Sequence, residues 1–153
     1  MSSNVIRNQA RILENFSDYG PITVIPTYRL EYLEENLENV NDEKDVFIHT
    51  LTNNIPGSRN LVGLAKKFCQ VCLEFKARKP NTRIFVSLLL PRFDGFDGIK
   101  IVNEEIINSL GHISNIFLIS NENFDESDFI WDGLHLSKNS FEKMASNWLR
   151  VLG

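Results

Sequence analysis

The stretch Arg83-Ile-Phe-Val-Ser-Leu-Leu-Leu90 decides the fold, because it is apolar along nearly its whole length. A strand with one face in water alternates polar and apolar residues, and this run shows no such alternation. Pro80 ends the helical pattern before it, and Pro91 follows it directly. The stretch therefore predicts a strand covered on both faces, as in a parallel sheet.

The segments around this strand alternate between helical and strand-like patterns. Helical spacing of apolar residues is found at 4–16, 30–40, 59–78, 99–110 and 141–152, and further strand patterns at 21–25, 45–50 and 115–119. Strands that alternate with helices imply a parallel sheet with helices on both faces. The predicted fold class is α/β, a three-layer α/β/α (flavodoxin-like) domain that spans residues 1–153.

Length and composition favour one globular domain. The chain has 153 residues, of which 42% are hydrophobic and 24% charged, and both fractions are ordinary for such a domain. Its net charge of −4 does not favour nucleic acid as a partner. No apolar run approaches the about 20 residues of a membrane helix, and the first residues lack the apolar core of a signal peptide. We therefore expect a cytoplasmic protein without a membrane span.

The only two cysteines, Cys69 and Cys72, form a C-x-x-C pair, which suggests a redox centre or half of a zinc site. No second Cys/His pair stands at ligand spacing, and the flanking residues follow one continuous amphipathic helix. We expect two buried thiols on that helix and no metal. No Gly-rich phosphate loop follows any strand pattern, so no nucleotide cofactor is predicted and a flavodoxin-like binding module has little support.

Asp132-Gly-Leu-His135 places an acid three residues before a histidine, just ahead of the last helical pattern. A carboxylate at this spacing can accept a hydrogen bond from one ring nitrogen, which fixes the tautomer and leaves the other nitrogen to take a proton. The alternative is an acid at a helix N-terminus with a histidine facing solvent. The spacing alone favours that alternative.

The wider context adds a resemblance. With Leu136-Ser137 and the helical pattern that follows, this block resembles the closing block of the SGNH (GDSL-type) hydrolase superfamily. The resemblance implies that Asp132 and His135 complete a Ser-His-Asp triad. Val86-Ser-Leu-Leu-Leu-Pro-Arg92 is similar to the S-x-x-x-P-R strand end of the retrotransposon-associated or Oskar-like branch.

Two further stretches resemble family blocks that form an oxyanion hole. Residues 47–55 are similar to the strand-plus-G-T-N-D block, in which Asn53 takes the place of the oxyanion-hole Asn. Residues 25–33 resemble the P-G-A-x-L-x-x-L stretch, and Thr27 stands where the family has its oxyanion-hole Gly. Leu51 replaces the usual Gly of the G-T-N-D block.

The opening residues Met1-Ser-Ser-Asn4 resemble the nucleophile block when they are read in register, which places Ser3 at the nucleophile position. In the family fold the strand that ends at the nucleophile lies inside the sheet, in the order 2-1-3-4-5. This chain has no residues before Met1 to form it, so the first strand is expected to be missing. We interpret the sequence as a truncated form of a longer protein.

The function implied by the resemblance is hydrolysis of a small-molecule ester. Ser3 would be the nucleophile, and its backbone N–H would join Thr27 and Asn53 in the oxyanion hole. Asn54, which replaces the usual Asp, and Arg92 are the candidate substrate-binding residues. No cofactor is implied.

The alternative function is that of a catalytically impaired relative that binds RNA or protein. For RNA the sequence offers one basic cluster, Lys76-Ala-Arg-Lys79 with Arg83, Lys66 and Lys67. At a helix end such a cluster is more often a solvated face that compensates the helix dipole.

Overall fold

The structure is a computed structural model that describes residues 29–40, 45–49, 51, 54–94, 98–133, 135–137 and 140–152, and all structural statements refer to these residues. The strands are β1 (Asp45–Ile48), β2 (Arg83–Ser87) and β3 (Ile116–Ile119). The helices are α1 (Leu33–Glu38), α2 (Leu61–Arg78), α3 (Ile99–Leu110) and α4 (Phe141–Leu152), with 3₁₀ turns at Leu30–Tyr32 and Glu126–Asp128. The predicted helix 4–16 and strand 21–25 lie outside the described residues.

The three strands form a parallel sheet in the order β1-β2-β3. Phe47, Phe85 and Phe117 are level across the sheet, and their rings stack with centroids 4.7 and 5.1 Å apart. The apolar stretch 83–90 thus supplies the strand between the other two described strands, and the predicted parallel sheet is confirmed.

Each face of the sheet packs against helices, because successive side chains of a strand point to opposite faces. Ile48 and Val86 belong to one apolar cluster with buried residues of α2 and α3. Phe85 and Ile119 belong to a second cluster with Met144, Ala145 and Trp148 of α4. The predicted three-layer arrangement, with helices on both faces, is confirmed.

Strand β2 is shorter than the predicted strand 83–90, because side-chain amides take over its last backbone groups. The amide of Asn103 accepts from the Leu89 N–H at 2.9 Å and donates to the Leu89 carbonyl at 3.1 Å. The amide of Asn121 donates to the Leu88 carbonyl at 2.6 Å. The Leu88 N–H still donates to the Ile119 carbonyl at 2.9 Å, and residues 88–90, which stay buried, then lead the chain into the loop at the carboxyl edge of the sheet.

Helix α2 begins two residues later than the predicted 59–78, because Asn60 is its N-cap. The Asn60 side chain accepts from the Gly63 N–H at 2.9 Å, and one backbone donor of the first turn is satisfied in this way. At the other end, Lys76 Nζ donates to the Pro80 carbonyl and, at 3.2 Å, to that of Thr82. None of the described helices is both long and apolar enough to cross a membrane.

Candidate active site

The segment from 128 to 137 folds back on itself beyond the sheet, and we call its described residues, 128–133 and 135–137, the acid–histidine turn. Phe129 and Leu136 form an antiparallel bridge, and both side chains are buried. The backbone hydrogen bonds run from Ile130 N–H to His135 O (2.8 Å), from Ser137 N–H to Asp128 O (2.9 Å) and from Gly133 N–H to Ile130 O (3.0 Å). The backbone of the turn is therefore fixed on both sides of Asp132.

Gly133 joins this turn to the loop that follows β2. Its φ is +67°, a conformation that side-chain-bearing residues rarely adopt, and its carbonyl accepts from the Phe93 N–H at 2.7 Å. A Cβ at this position would come within 2.4 Å of the Phe93 carbonyl oxygen. Glycine is required here because two backbones approach each other too closely for a side chain.

Asp132 and His135 form a two-point contact across the turn. Asp132 Oδ2 lies 2.6 Å from His135 Nδ1, and Oδ1 accepts from the His135 backbone N–H at 3.0 Å. The hydrogen bond from the His135 backbone N–H fixes the Asp132 carboxylate at the start of the turn. The contact with Nδ1 therefore depends on the backbone geometry as well as on the side-chain torsions. The structure thus brings Asp132 and His135, the two predicted site residues of the closing block, into contact.

The arrangement determines which proton chemistry His135 can perform. With an ionised Asp132 the neutral ring carries its proton on Nδ1 and donates it to the carboxylate, so Nε2 is the nitrogen that can accept a proton. The side chains of Asp132 and His135 are 23% and 18% exposed, which leaves the pair within reach of a ligand. The pair suits a general base positioned by a carboxylate.

The other predicted triad and oxyanion-hole residues, Ser3, Thr27 and Asn53, lie outside the described residues. Their roles stay predictions. Leu51, two residues before Asn53 in the chain, is among the residues that the structure describes. It is buried and has a φ of +80°. It stands where the family has a Gly, so this position keeps a backbone conformation that favours glycine although a leucine occupies it.

Asn54 is a tether between two segments of the chain. Its Oδ1 accepts from the Leu30 N–H at 2.9 Å, and its Nδ2 donates to Glu31 Oε1 at 2.9 Å. Its own backbone N–H closes a turn onto the Leu51 carbonyl at 2.8 Å. Both ends of the predicted substrate-binding amide are engaged in holding the 3₁₀ turn at Leu30–Tyr32 against this loop.

Arg92, the other predicted substrate-binding residue, pairs with Asp94. Arg92 Nη2 lies 2.5 Å from Oδ2, and Nε lies 3.1 Å from Oδ1, a two-point geometry. The Arg92 side chain is only 4% exposed. The pair brackets Phe93, whose backbone binds Gly133, so the ion pair braces the loop against the acid–histidine turn.

A buried polar network, which was not predicted from the sequence, lies behind this site. Asn121 Nδ2 donates to Ser87 Oγ at 2.9 Å, and Trp148 Nε1 donates to the same oxygen at 3.2 Å. Asn147 Nδ2 extends the network to Asn121 Oδ1 at 3.1 Å. Ser87, the one polar residue between Ile84 and Leu90, was the available signal, because a hydroxyl inside a covered strand needs a partner.

His49, expected to be structural because it lies in the predicted strand 45–50, directly follows β1 and is buried. Neither ring nitrogen has a hydrogen-bond partner among the described residues. Burial lowers the pKa of His49 to about 4, and the nearby Ser87 backbone offsets only part of this lowering. His49 is therefore neutral near pH 7.

The cysteines and the basic cluster have structural surroundings. Cys69 and Cys72 are free and buried on α2, as predicted, and burial raises the pKa of Cys69 to about 11 and that of Cys72 further still. Within the described part of the chain no group of His, Cys, Asp and Glu could hold a metal ion. In the basic cluster, Lys76 caps α2 and Arg83 forms a two-point pair with Asp45 at 2.7 and 2.8 Å.

Two solved structures are similar to this chain along most of its length. One is a carbohydrate esterase of family 3 from Talaromyces cellulolyticus, with a TM-score of 0.72 and 14% identity over 93% of this chain and 87% of that one. The other is a family 3 carbohydrate esterase of Clostridium thermocellum, with a TM-score of 0.72 and 21% identity over 94% and 83%. No family model and no curated protein match the chain.

These likenesses bear on the fold. At such low identity they show that the chain has the fold of these esterases, and the SGNH-type fold predicted from the sequence is confirmed at that level. The reaction has to be argued from the residues of the site.

Proposed function

We propose that this protein is a serine esterase of the SGNH type that hydrolyses an acyl ester, with a carbohydrate as the alcohol part of the substrate. The observation that carries the proposal is the contact of Asp132 Oδ2 with His135 Nδ1 at 2.6 Å, on a turn fixed by backbone bonds. The carbohydrate part is carried over from the two similar proteins, both of which are named carbohydrate esterases.

In the proposed reaction Ser3 is the nucleophile. Its Oγ attacks the acyl carbonyl while His135 Nε2 takes the hydroxyl proton, and Asp132 stabilises the imidazolium that forms. His135 then returns this proton to the leaving alcohol as the ester bond breaks, which leaves an acyl-serine. A water molecule, deprotonated by the same nitrogen, attacks the acyl-serine, and His135 returns this proton to Ser3 Oγ as the acyl–oxygen bond breaks, which releases the carboxylic acid and free Ser3.

The negative charge that develops on the carbonyl oxygen needs hydrogen-bond donors. We assign these to the backbone N–H groups of Ser3 and Thr27 and to the side-chain amide of Asn53. Leu51, buried with a left-handed backbone, and the tethered Asn54 are the described residues on either side of Asn53 in the chain. Oxyanion-hole donors that are fixed in advance pay no reorganisation cost when the charge forms, and each one is worth about 100- to 1,000-fold in rate.

The test is ester hydrolysis by the purified chain and by His135→Ala and Ser3→Ala. Release of acetate from ethyl acetate and from acetylated tetrasaccharides is followed at constant pH. Both variants are expected to lose turnover because each lacks a group that handles the transferred proton. His112→Ala is the matched control, since His112 is exposed on the turn after α3 and should leave the rate unchanged.

Turnover by His135→Ala equal to that of the parent would contradict the proposal. An inactive parent chain that binds RNA, with an affinity that falls steeply as salt rises, would favour the alternative of a binding module. Of the basic cluster, Lys76 and Arg83 are engaged in structural contacts, whereas Lys66, Lys67 and Arg78 are exposed.

A further inference from the structure

We propose that Trp131 is the substrate platform of this site, and that its indole stacks on an uncharged sugar ring that carries the ester. The proposal rests on the proposed function for the position of the reacting ester. Beyond the proposed function, it names a residue that binds the substrate and states that the group bound there is uncharged.

The first observation is that Trp131 is exposed although its backbone is fixed. The Trp131 side chain is 94% exposed, although it sits beside Asp132 in a turn whose backbone is held by hydrogen bonds on both sides. Ile130, the residue before it, donates its N–H to the His135 carbonyl at 2.8 Å. The indole is therefore carried by a rigid backbone one residue away from the partner of the candidate base.

The second observation is another exposed aromatic at the same turn. Phe93 is 39% exposed, its N–H binds the Gly133 carbonyl, and its ring lies against that of buried Phe129 at 5.3 Å. We call Trp131 and Phe93 the aromatic rim. The two exposed rings are therefore carried by the two backbones that meet at Gly133, next to the Asp132–His135 pair.

Charge decides what this rim can hold. Residues 121–137 contain five acidic residues and no Lys or Arg; buried Asp128 is paired with Lys143 of α4 at 2.8 Å, and Glu122, Asp125 and Glu126 are exposed. Arg92, the cation of the adjoining loop, is nearly buried and paired with Asp94. Such a surface repels the phosphates of a nucleic acid or a phospholipid. An uncharged ring with an apolar face, which a sugar has, meets no such penalty.

The fixed backbone of Trp131 also favours a sugar ring as the ligand. A large aromatic side chain on a fixed backbone loses little conformational freedom when a flat ligand stacks on it, because only two side-chain torsions are involved. The polar hydroxyls at the edge of the sugar stay in water. The ester that projects from the ring can then lie over His135.

The test compares esters with and without a sugar. The ratio of kcat/KM for acetylated cellotetraose or xylotetraose to kcat/KM for ethyl acetate is measured in the parent, Trp131→Ala, Trp131→Phe and Ile107→Ala. Trp131→Ala should lower this ratio about tenfold, because truncating a tryptophan that anchors a ligand typically costs that much. Trp131→Phe should retain most of it. Ile107→Ala, an exposed apolar residue on α3, should match the parent.

A binding measurement keeps the platform separate from the hydrolysis. The chain has two tryptophans, and Trp148 is only 3% exposed, so acrylamide quenching of fluorescence reports mainly on Trp131. In His135→Ala, cellotetraose or xylotetraose should protect Trp131 from acrylamide, whether or not any variant hydrolyses esters. Absence of protection, or an unchanged kcat/KM ratio in Trp131→Ala, would overturn the platform. Protection by single-stranded RNA but by neither sugar would overturn it in favour of a nucleic-acid surface.

Discussion

His135 and His49 both lie beyond the carboxyl ends of the strands, yet the chain surrounds them in opposite ways. His135 faces a carboxylate at 2.6 Å, is partly exposed and sits on a turn braced by Gly133. His49 is buried beside Ser87 and Trp148, and neither of its nitrogens has a partner among the described residues. One imidazole has the geometry that the proposed proton transfer requires, and the other is buried and stays neutral near pH 7.

The difference teaches that residue type alone does not make a base. Desolvation disfavours the charged form of His49, and among the described residues no carboxylate contacts its ring. At His135 a carboxylate oxygen of Asp132 lies 2.6 Å from Nδ1, where the proposed mechanism needs a partner for the ring. Three experiments can break or sharpen this comparison.

The largest effect is expected from Asp132→Asn, which removes the charge of the carboxylate and keeps its shape. The amide can hold the ring in the wrong tautomer, so that Nε2 carries the proton, and it no longer stabilises the imidazolium. We expect esterase kcat to fall by about 10⁴-fold. The measurement is kcat on acetylated tetrasaccharides, with circular dichroism to check that the fold is kept.

Asp125→Asn is the matched control for this change. Asp125 caps the 3₁₀ turn at Glu126–Asp128 through a bond from the Ser127 N–H at 3.0 Å and is exposed. It should cost little activity. If Asp132→Asn retained the turnover of the parent, the contact with His135 would be structural and the contrast with His49 would lose its meaning.

A smaller effect is expected from His49, as a dependence of stability on pH. The folded-state pKa of about 4 lies below the ordinary value of 6.5, so in this window the unfolded chain binds a proton that the folded chain does not. Stability is therefore full above pH 6.5 and is lost as pH falls towards 4. The loss should reach about 3 kcal/mol at pH 4. Urea unfolding at pH 7 and pH 4 measures it.

The variant that isolates this effect is His49→Leu. It should remove this part of the pH dependence, and it need not lower stability at pH 7, because an apolar group replaces two buried nitrogens that have no hydrogen-bond partner in the described part of the chain. His112→Leu, at an exposed position, should keep the pH dependence of the parent. An equal loss of stability in His49→Leu and the parent would show that His49 is not the group responsible.

The sequence predicts those parts of the molecule whose signals are local. The apolar run of β2 and the helical stripe of α2 each lie within one element, and the Asp132–His135 contact spans only three residues. The end of β2 at Ser87 was not predictable, since it depends on amides 14 and 33 residues away in the chain.

The features of the site that were not predicted also depend on contacts between elements that are far apart in the chain. Ser87 is satisfied by Asn121 and Trp148, which arrive from other elements, so its role emerges only when α4 packs on the sheet. The positive φ of Leu51 was hidden because leucine rarely adopts it. Only the resemblance to a family block with Gly at this position pointed to an unusual backbone there.

The smallest effect is expected from Gly133→Ala, which tests the brace under His135. An alanine with positive φ costs about 1–2 kcal/mol, and its Cβ would clash with the Phe93 carbonyl and weaken the bond from the Phe93 N–H. We expect a loss of about 2 kcal/mol in the free energy of unfolding, with reduced turnover because the turn shifts. Gly57→Ala is the control, since Gly57 is exposed and its added Cβ would meet no atom within 4 Å. If both variants unfolded at the same urea concentration, the close backbone contact at Gly133 would not be what positions His135. The fixed position that distinguishes His135 from His49 would then have to come from Asp132 alone.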